Sequence, residues 1–364
     1  MKTLIVGGDF GISKKSSIIN KISEQIESIV INGGSIEDIE YISNNMQDFD
    51  LVIWAPNISN EIEKIYPKKA NGAVLICSKV LREGRDFGDA IARIFKMNGN
   101  AVITIESNEK PFIFNLIDAL GNVWCKTTNI QELVGKIEEL YKWTKASIRT
   151  RSSSVVFSPE ELYPLELTEL CEIVKEIADR VENERGGRYF GNVSTRCGKM
   201  FPSFRMEHDI VLMSGRNVSK SRISPEDFVY TKMIDGNVLY HGNKKPSVDT
   251  PIQLSMYEYY KDINFLIHGH AYIDNAEFTE HYYPCGDLRE LSAVKDKTNT
   301  SNKLFNKGNV IINGNKNDSI VLNLKNHGFI IGANNLEQLK KIVSLVKFRH
   351  RQIGIECANE YTLV

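Results

Sequence analysis

The chain has 364 residues, 42% of them hydrophobic and 25% charged, with a formal net charge of -1 at pH 7. That length exceeds one typical core, so two domains are expected, and the balance of 45 Lys+Arg against 46 Asp+Glu argues against nucleic acid or an acidic membrane surface as a partner. No signal-peptide anatomy follows Met1, no apolar run reaches membrane-spanning length, and the six cysteines form no CxxC pair, which together predict a cytoplasmic protein with reduced thiols.

In chain order, an apolar strand over residues 3–8 is expected to break at Gly7 and Gly8 and lead into a helical segment ending near Glu27. A strand over Ser28–Ile31 and a turn at Gly33 and Gly34 follow. Ser35 and Asp38 then have the spacing of a capping box that opens a helix over Ile36–Met46. Strands at Asp50–Ala55, Ala73–Ser78, Asn100–Glu106 and Asn122–Lys126 alternate with helices near Glu61–Tyr66, over Phe87–Met97, over Pro111–Leu120 and over Ile130–Ser147. Such alternation predicts a doubly wound, parallel-sheet, Rossmann-like α/β domain over residues 1–148. Its first turn keeps Gly8 and Gly11 of a dinucleotide fingerprint but has Val6 for the first glycine and no acidic residue near Ile31. Ser13, Lys14, Ser16 and Ser17 would suit a phosphate at the helix start. With the fingerprint incomplete, a tight strand-to-helix turn is the simpler account, and the loop Ser78–Gly88 is no stronger. No role is assigned to this domain.

Residues 149–162, with Arg149, Thr150, Arg151 and three serines, read as a linker, and 163–364 as the second domain. Ser158 and Pro159 mark a helix start. The helix Leu165–Glu182 carries Leu167, Leu170, Val174 and Ile177 on one face.

Further on, the apolar run Phe265–Ile267 ends in His268, Gly269 and His270. Side chains two apart on a strand share a face, so the two imidazoles stand side by side as a divalent metal requires. A catalytic zinc takes three protein ligands and keeps one position open. His327, again at the end of an alternating apolar strand and followed by Gly328, is the expected third ligand. His208, His241, His281 and His350 lack such spacing. A terminal helix is expected over residues 334–352, with Leu336, Leu339, Ile342, Val343 and Val346 on its apolar side.

The ordered series Gly191 to Arg196, Ile210 to Gly215, Ser224 to Val229, Lys245 to Pro251, His268-Gly269-His270 and Asn326-His327-Gly328 resembles the class II aldolase/adducin family over about residues 163–350. The resemblance implies an α/β/α sandwich around a mainly antiparallel sheet, a homo-tetramer, and a small carbohydrate substrate. Matched position by position, it puts the Zn2+ ligands on His268, His270 and His327. Substrate or phosphate contacts fall on Gly191, Asn192, Ser214, Gly215 and Ser247, and the catalytic carboxylate on Asp249. Two departures stand out: Val248 replaces a serine of the usual Pro-Ser-Ser-Glu, and Asp249 replaces its glutamate. The implied activity is a zinc-dependent lyase, an aldolase cleaving a small sugar or sugar phosphate through a metal-stabilised enediolate, with Asp249 as general base or as a permanent metal ligand. A metal-dependent epimerase, dehydratase or decarboxylase, and a non-catalytic adducin-like interaction protein, are the alternatives of the same fold. Tyr272, Tyr282 and Tyr283 are all open as the general acid. Cys285 reads as a buried, inert thiol more readily than as a residue of the site.

Overall fold

Thr3–Phe10 (β1) is buried along its whole length, as is the Leu51–Trp54 part of β3 (Leu51–Ile58), which is why both read as apolar runs rather than alternating strands. The structure, a computed structural model, describes residues 1–10, 17–58, 67, 72–81, 86–106, 111–149, 153–154, 165–181, 184–185, 188–197, 210–300, 305–307, 310–312, 319–351 and 353–354. By their contacts they divide into Met1–Lys145 with Gln352–Val364, and Ala146–Arg351.

The first unit holds a seven-stranded sheet. With β2 (Ile29–Gly34), β4 (Val74–Leu81), β5 (Ala101–Glu106), β6 (Ile113–Asp118) and β7 (Val123–Thr127), its order is β2-β1-β3-β4-β5-β6-β7. Strands β1 to β5 pair in parallel, with helices α1 (Ser17–Ser23), α2 (Ile36–Asn44) and α3 (Phe87–Lys96) between them. The order reverses at β1, as in doubly wound sheets. Ser35 and Asp38 form the capping box expected of them. α3 starts on Asp86, whose side chain accepts the Asp89 N–H, and buries Ala90, Ile91, Ile94 and Phe95 along one face. α4 (Ile130–Arg149) closes the series, so the expected linker begins within a helix, and residues 150–152 and 155–164 lie outside the described residues.

Three expectations fail in this unit. β1 runs through the glycine pair to Phe10; Gly8 absorbs the irregular register there at φ +80°. Gly33 and Gly34 do not form a turn but end strand β2, which pairs with β1 as far as Gly34. Pro111–Leu120 is not a helix: Ile113–Asp118 is a strand, antiparallel to β5 and β7. Its end is fixed by Asp118, whose carboxylate accepts the N–H groups of Leu120 and Asn122, the Asn122 amide and the Trp124 indole N–H. The expected helix near Glu61–Tyr66, together with Gly11, Ser13, Lys14, Ser16 and the loop residues 82–85, lies outside the described residues, and so does the Ser17 side chain.

The second unit is built on an eight-stranded sheet. Its strands are β8 (Ser153–Ser154), β9 (Asn192–Arg196), β10 (Val211–Ser214), β11 (Phe228–Ile234), β12 (Asn237–His241), β13 (Phe265–Gly269), β15 (Ser319–Leu324) and β16 (Gly328–Ala333), β14 being the short strand Ala271–Ile273. The order is β15-β16-β13-β9-β10-β11-β12-β8, antiparallel except for β12 with β8. Alternation along the strands divides the core in two. Leu212, Ile267 and Ile331 pack with α5 (Leu165–Val181) and α8 (Leu336–Leu345). Val211, Leu266 and Ile330 pack on the other side, with residues of α6 (Thr250–Tyr259) and α7 (Arg289–Thr300). The result is the α/β/α sandwich.

The terminal helix stops at Leu345, short of the expected 352. Val346 keeps the apolar spacing and is buried, but its backbone is extended. Phe348–His350 then forms a strand, β17, antiparallel to β14, with Phe348 packed against Phe329. Among the described residues, no helix is long and apolar enough to cross a membrane.

Candidate metal centre

The antiparallel register sets Gly269 opposite Phe329. Continued by one step, it puts His270 against Gly328, at the mouth of the turn Lys325–His327 between β15 and β16. Asn326 takes a left-handed φ of 54° there, and the His327 N–H closes the turn on Leu324 O at 3.1 Å. Gly328 is required by proximity: a Cβ on it would lie 2.0 Å from Gly269 O and 3.0 Å from the His270 Cα. Gly328→Ala is therefore expected to force the two histidine-bearing segments apart and weaken metal binding with every ligand still present, a loss that metal-chelator competition would read.

The three rings meet as this register demands. Their centroids lie 5.1 Å (His268 to His270), 4.7 Å (His268 to His327) and 5.1 Å (His270 to His327) apart. One nitrogen from each lies within 4.8 Å of the others, so the group could hold a metal ion. His268 sits on β13 and its Nδ1 is 2.8 Å from Phe329 O, a contact that fixes the Nδ1–H tautomer and leaves the Nε2 lone pair for a metal. Burial, then the neighbouring His327, lowers the His268 pKa to about 4. Desolvation, then His268, holds His270 well below the ordinary value as well. Both rings are thus neutral near pH 7, the form that ligates. His270 also stacks on Phe190, with centroids 5.1 Å apart.

His327 is fully buried and its Nδ1 lies 2.5 Å from Glu290 Oε1. Burial, the largest single influence, opposes a charge on His327, but the Glu290 carboxylate and the Cys285 sulfur together outweigh it and raise the pKa. Burial raises the Glu290 pKa too, with His327 acting against that shift. This is the carboxylate–histidine pairing that orients metal ligands. Glu290 comes from the first turn of α7, 37 residues from His327 in the chain, and no local pattern in the sequence marks it. Glu290→Gln is expected to lower metal affinity by about 10–100-fold, the cost typical of losing an outer partner, as measured by chelator competition.

Asp249 precedes α6 at its N-cap but its side chain does not cap the helix, as an N-cap aspartate commonly does. Instead Oδ2 accepts the Asn192 amide at 3.1 Å and lies 3.9 Å from His268 Nε2. Asn192 stands opposite His268 in the sheet. Its amide also donates to Ser247 Oγ at 3.1 Å, and its Oδ1 accepts from Gln253. The shorter carboxylate therefore reaches the histidines, tethered by Asn192. Asp249 Oδ1 and His268 Nε2 are both buried polar atoms with no hydrogen-bond partner among the described residues, an arrangement that costs free energy unless something else binds there. The donor set and these two orphaned atoms fit a divalent cation.

Of the other expected contact residues, Gly191 turns at φ +80° against the His268 carbonyl, which a Cβ would approach to 2.5 Å. Ser247 is half-buried beside Asn192. The Gly215 N–H is engaged within the chain, whereas the bond to the Ser214 hydroxyl uses an oxygen lone pair and not its hydrogen. Ser214 is fully buried with Oγ accepting the Val193 N–H, and the Gly215 N–H is bonded to Asp227 O at 2.8 Å. Both asparagine N–H groups of Asn192 are likewise committed within the chain. Tyr272 packs edge-on to Phe278 and beneath Arg349, and Tyr283 lies beneath Arg289. Cys285 is not remote from the site: its Sγ is 3.2 Å from His327 Nε2.

A family model described as the Class II Aldolase and Adducin N-terminal domain matches residues 168–352. Among solved structures, the chain is similar to an L-fuculose 1-phosphate aldolase at 18% identity and a TM-score of 0.35, over 51% of this chain and 84% of that one. An L-fuculose 1-phosphate aldolase from Glaciozyma antarctica PI12 matches at 10% identity and a TM-score of 0.32, over 52% and 73%. An aldolase II superfamily protein from Pseudomonas syringae matches at 15% and 0.33, over 52% and 72%. The assignment rests on the family model, which spans half of the chain and encloses the three histidines, Asp249 and Glu290. The chain belongs to the class II aldolase and adducin family.

Proposed function

We propose that the protein is a zinc-dependent lyase of the aldolase type, acting on a small sugar or sugar phosphate. The observation that carries this reading is the meeting of three buried or half-buried histidines with a carboxylate whose Oδ1, like His268 Nε2, has no other partner among the described residues. His268, His270 and His327 would hold the ion, and a divalent cation there supplies Lewis-acid polarisation of a substrate carbonyl. Glu290 keeps the proton on His327 Nδ1, which leaves Nε2 as the ligating nitrogen.

Asp249 is the general base in this reading. Asn192 holds Oδ2 in place, so Oδ1 is the oxygen that accepts a proton from a hydroxyl two carbons from the carbonyl. Loss of that proton forms an aldehyde as the carbon–carbon bond breaks, and the electron pair passes toward the carbonyl. Asn192 is a positioning residue rather than a substrate donor, because both of its amide hydrogens are spent on Ser247 and Asp249. Gly191 leaves space at the wall, and the Ser247 hydroxyl stays near enough to touch substrate.

The test is a panel of sugars and sugar phosphates incubated with metal-loaded protein, with products read by mass. Two fragments whose masses sum to that of the substrate support the aldolase reading. Products of unchanged mass, or products lighter by water or carbon dioxide, would replace it with epimerisation, dehydration or decarboxylation at the same site.

A further inference from the structure

We propose that Cys285 is a metal ligand, so that the centre carries a sulfur beside its histidines and selects thiophilic ions such as zinc or cobalt over magnesium or manganese. This rests on the metal-centre reading above and deepens it. With Nδ1 of His327 engaged by Glu290, Nε2 is the nitrogen left to ligate, and the Cys285 Sγ lies 3.2 Å from that atom. A tetrahedral zinc with Zn–N of 2.0–2.1 Å and Zn–S of 2.3 Å separates nitrogen from sulfur by about 3.5 Å, close to the observed contact. Sγ, a carboxylate oxygen of Asp249 and a nitrogen of His327 all lie within 4.8 Å of one another. The two groups of donors share His327, and Asp249 Oδ2 lies 3.9 Å from His268 Nε2, so the two groups adjoin.

The thiol is put there by a built turn. The Asp287 N–H closes on Pro284 O at 3.1 Å, and the Asp287 carboxylate binds the N–H and guanidinium of Arg289 at the start of α7. Gly286, between them, has φ +82°, and a Cβ on it would come within 2.9 Å of Val248 Cγ1 and 3.0 Å of Val248 O. Only glycine lets this turn lie on the segment that carries Asp249. Val248, the residue that departs from the family pattern, is the surface on which the cysteine-bearing turn rests. The independent sign of a missing ligand is the pair of orphaned buried atoms, Asp249 Oδ1 and His268 Nε2, one in each of the two adjoining groups.

On ligation the Sγ–H proton passes to solvent and the sulfur binds as thiolate. Thiolate donors favour zinc and its congeners, whereas magnesium and manganese favour oxygen. Sulfur as a fourth donor would leave the Asp249 carboxylate to work on substrate, and a substrate oxygen would then enter as a fifth ligand, an expansion open to catalytic zinc.

Cobalt(II) added to the metal-free full chain reads the two questions separately. The expected result is one cobalt per chain with visible ligand-field bands and a near-ultraviolet thiolate-to-cobalt charge-transfer band. Cys285→Ser, checked for an unchanged far-ultraviolet circular dichroism spectrum, should keep the visible bands and lose the charge-transfer band. Cobalt bound without that band in the unaltered chain, or a band that persists in Cys285→Ser, overturns the cysteine assignment and leaves the metal centre standing. No cobalt bound overturns both.

Discussion

Asp249→Asn is expected to keep the metal and lose turnover by about 10²–10⁴-fold, the range typical of removing a general base. Asparagine matches the carboxylate in size and can still accept from Asn192 through its amide oxygen, so the histidine cluster should stay assembled. What it cannot do is take a proton at the position of Oδ1. Metal content and kcat measured on the same preparation separate the two effects. Loss of metal together with activity would make Asp249 a ligand, and retained activity would remove it from the mechanism.

His270→Ala has the second large effect: bound metal should fall from one equivalent to a small fraction, with turnover lost in parallel. The affinity loss should exceed the about 10–100-fold that changes in outer partners cost. His270 is the cleanest ligand to remove, because it is half-buried and, among the described residues, its ring contact outside the cluster is the stacking on Phe190. His327→Ala would also strand the buried Glu290 carboxylate, and His268→Ala would open a gap at the end of a central strand. Either would confuse lost metal with lost stability. Metal analysis by mass spectrometry and a thermal melt of the His270→Ala protein check the prediction, with the melt expected to match that of the metal-free unaltered chain.

The histidines could be read from the sequence because each stands at the end of an apolar strand next to a glycine, and antiparallel pairing does the rest. Asp249 was legible only through the family resemblance, and nothing local predicts that it forgoes its helix cap for Asn192. Glu290 and Gln253 act on the site from elements far away in sequence, where a single polar residue on a helix reads as ordinary. Ser214 and Gly215 look like anion donors as residue types. The Gly215 N–H is bonded to Asp227 O and the Ser214 oxygen accepts from Val193, contacts that residue type alone does not announce. In the first unit, the run Ile113–Asp118 lacks both periods, so burial on two sides of a sheet and a continuous apolar helix look alike until the pairing is known. At the other end, Val346 keeps helical spacing while its backbone is already extended, and Phe348 packs on Phe329 from the strand that follows.

The central claim is that one divalent ion belongs among His268, His270 and His327. The most direct measurement is metal stoichiometry of the full chain, stripped by chelator, reloaded with zinc and freed of excess by gel filtration. One zinc per chain, falling to near none in His270→Ala, is the result expected here. A folded, unaltered chain that takes up no zinc, cobalt or manganese would contradict it.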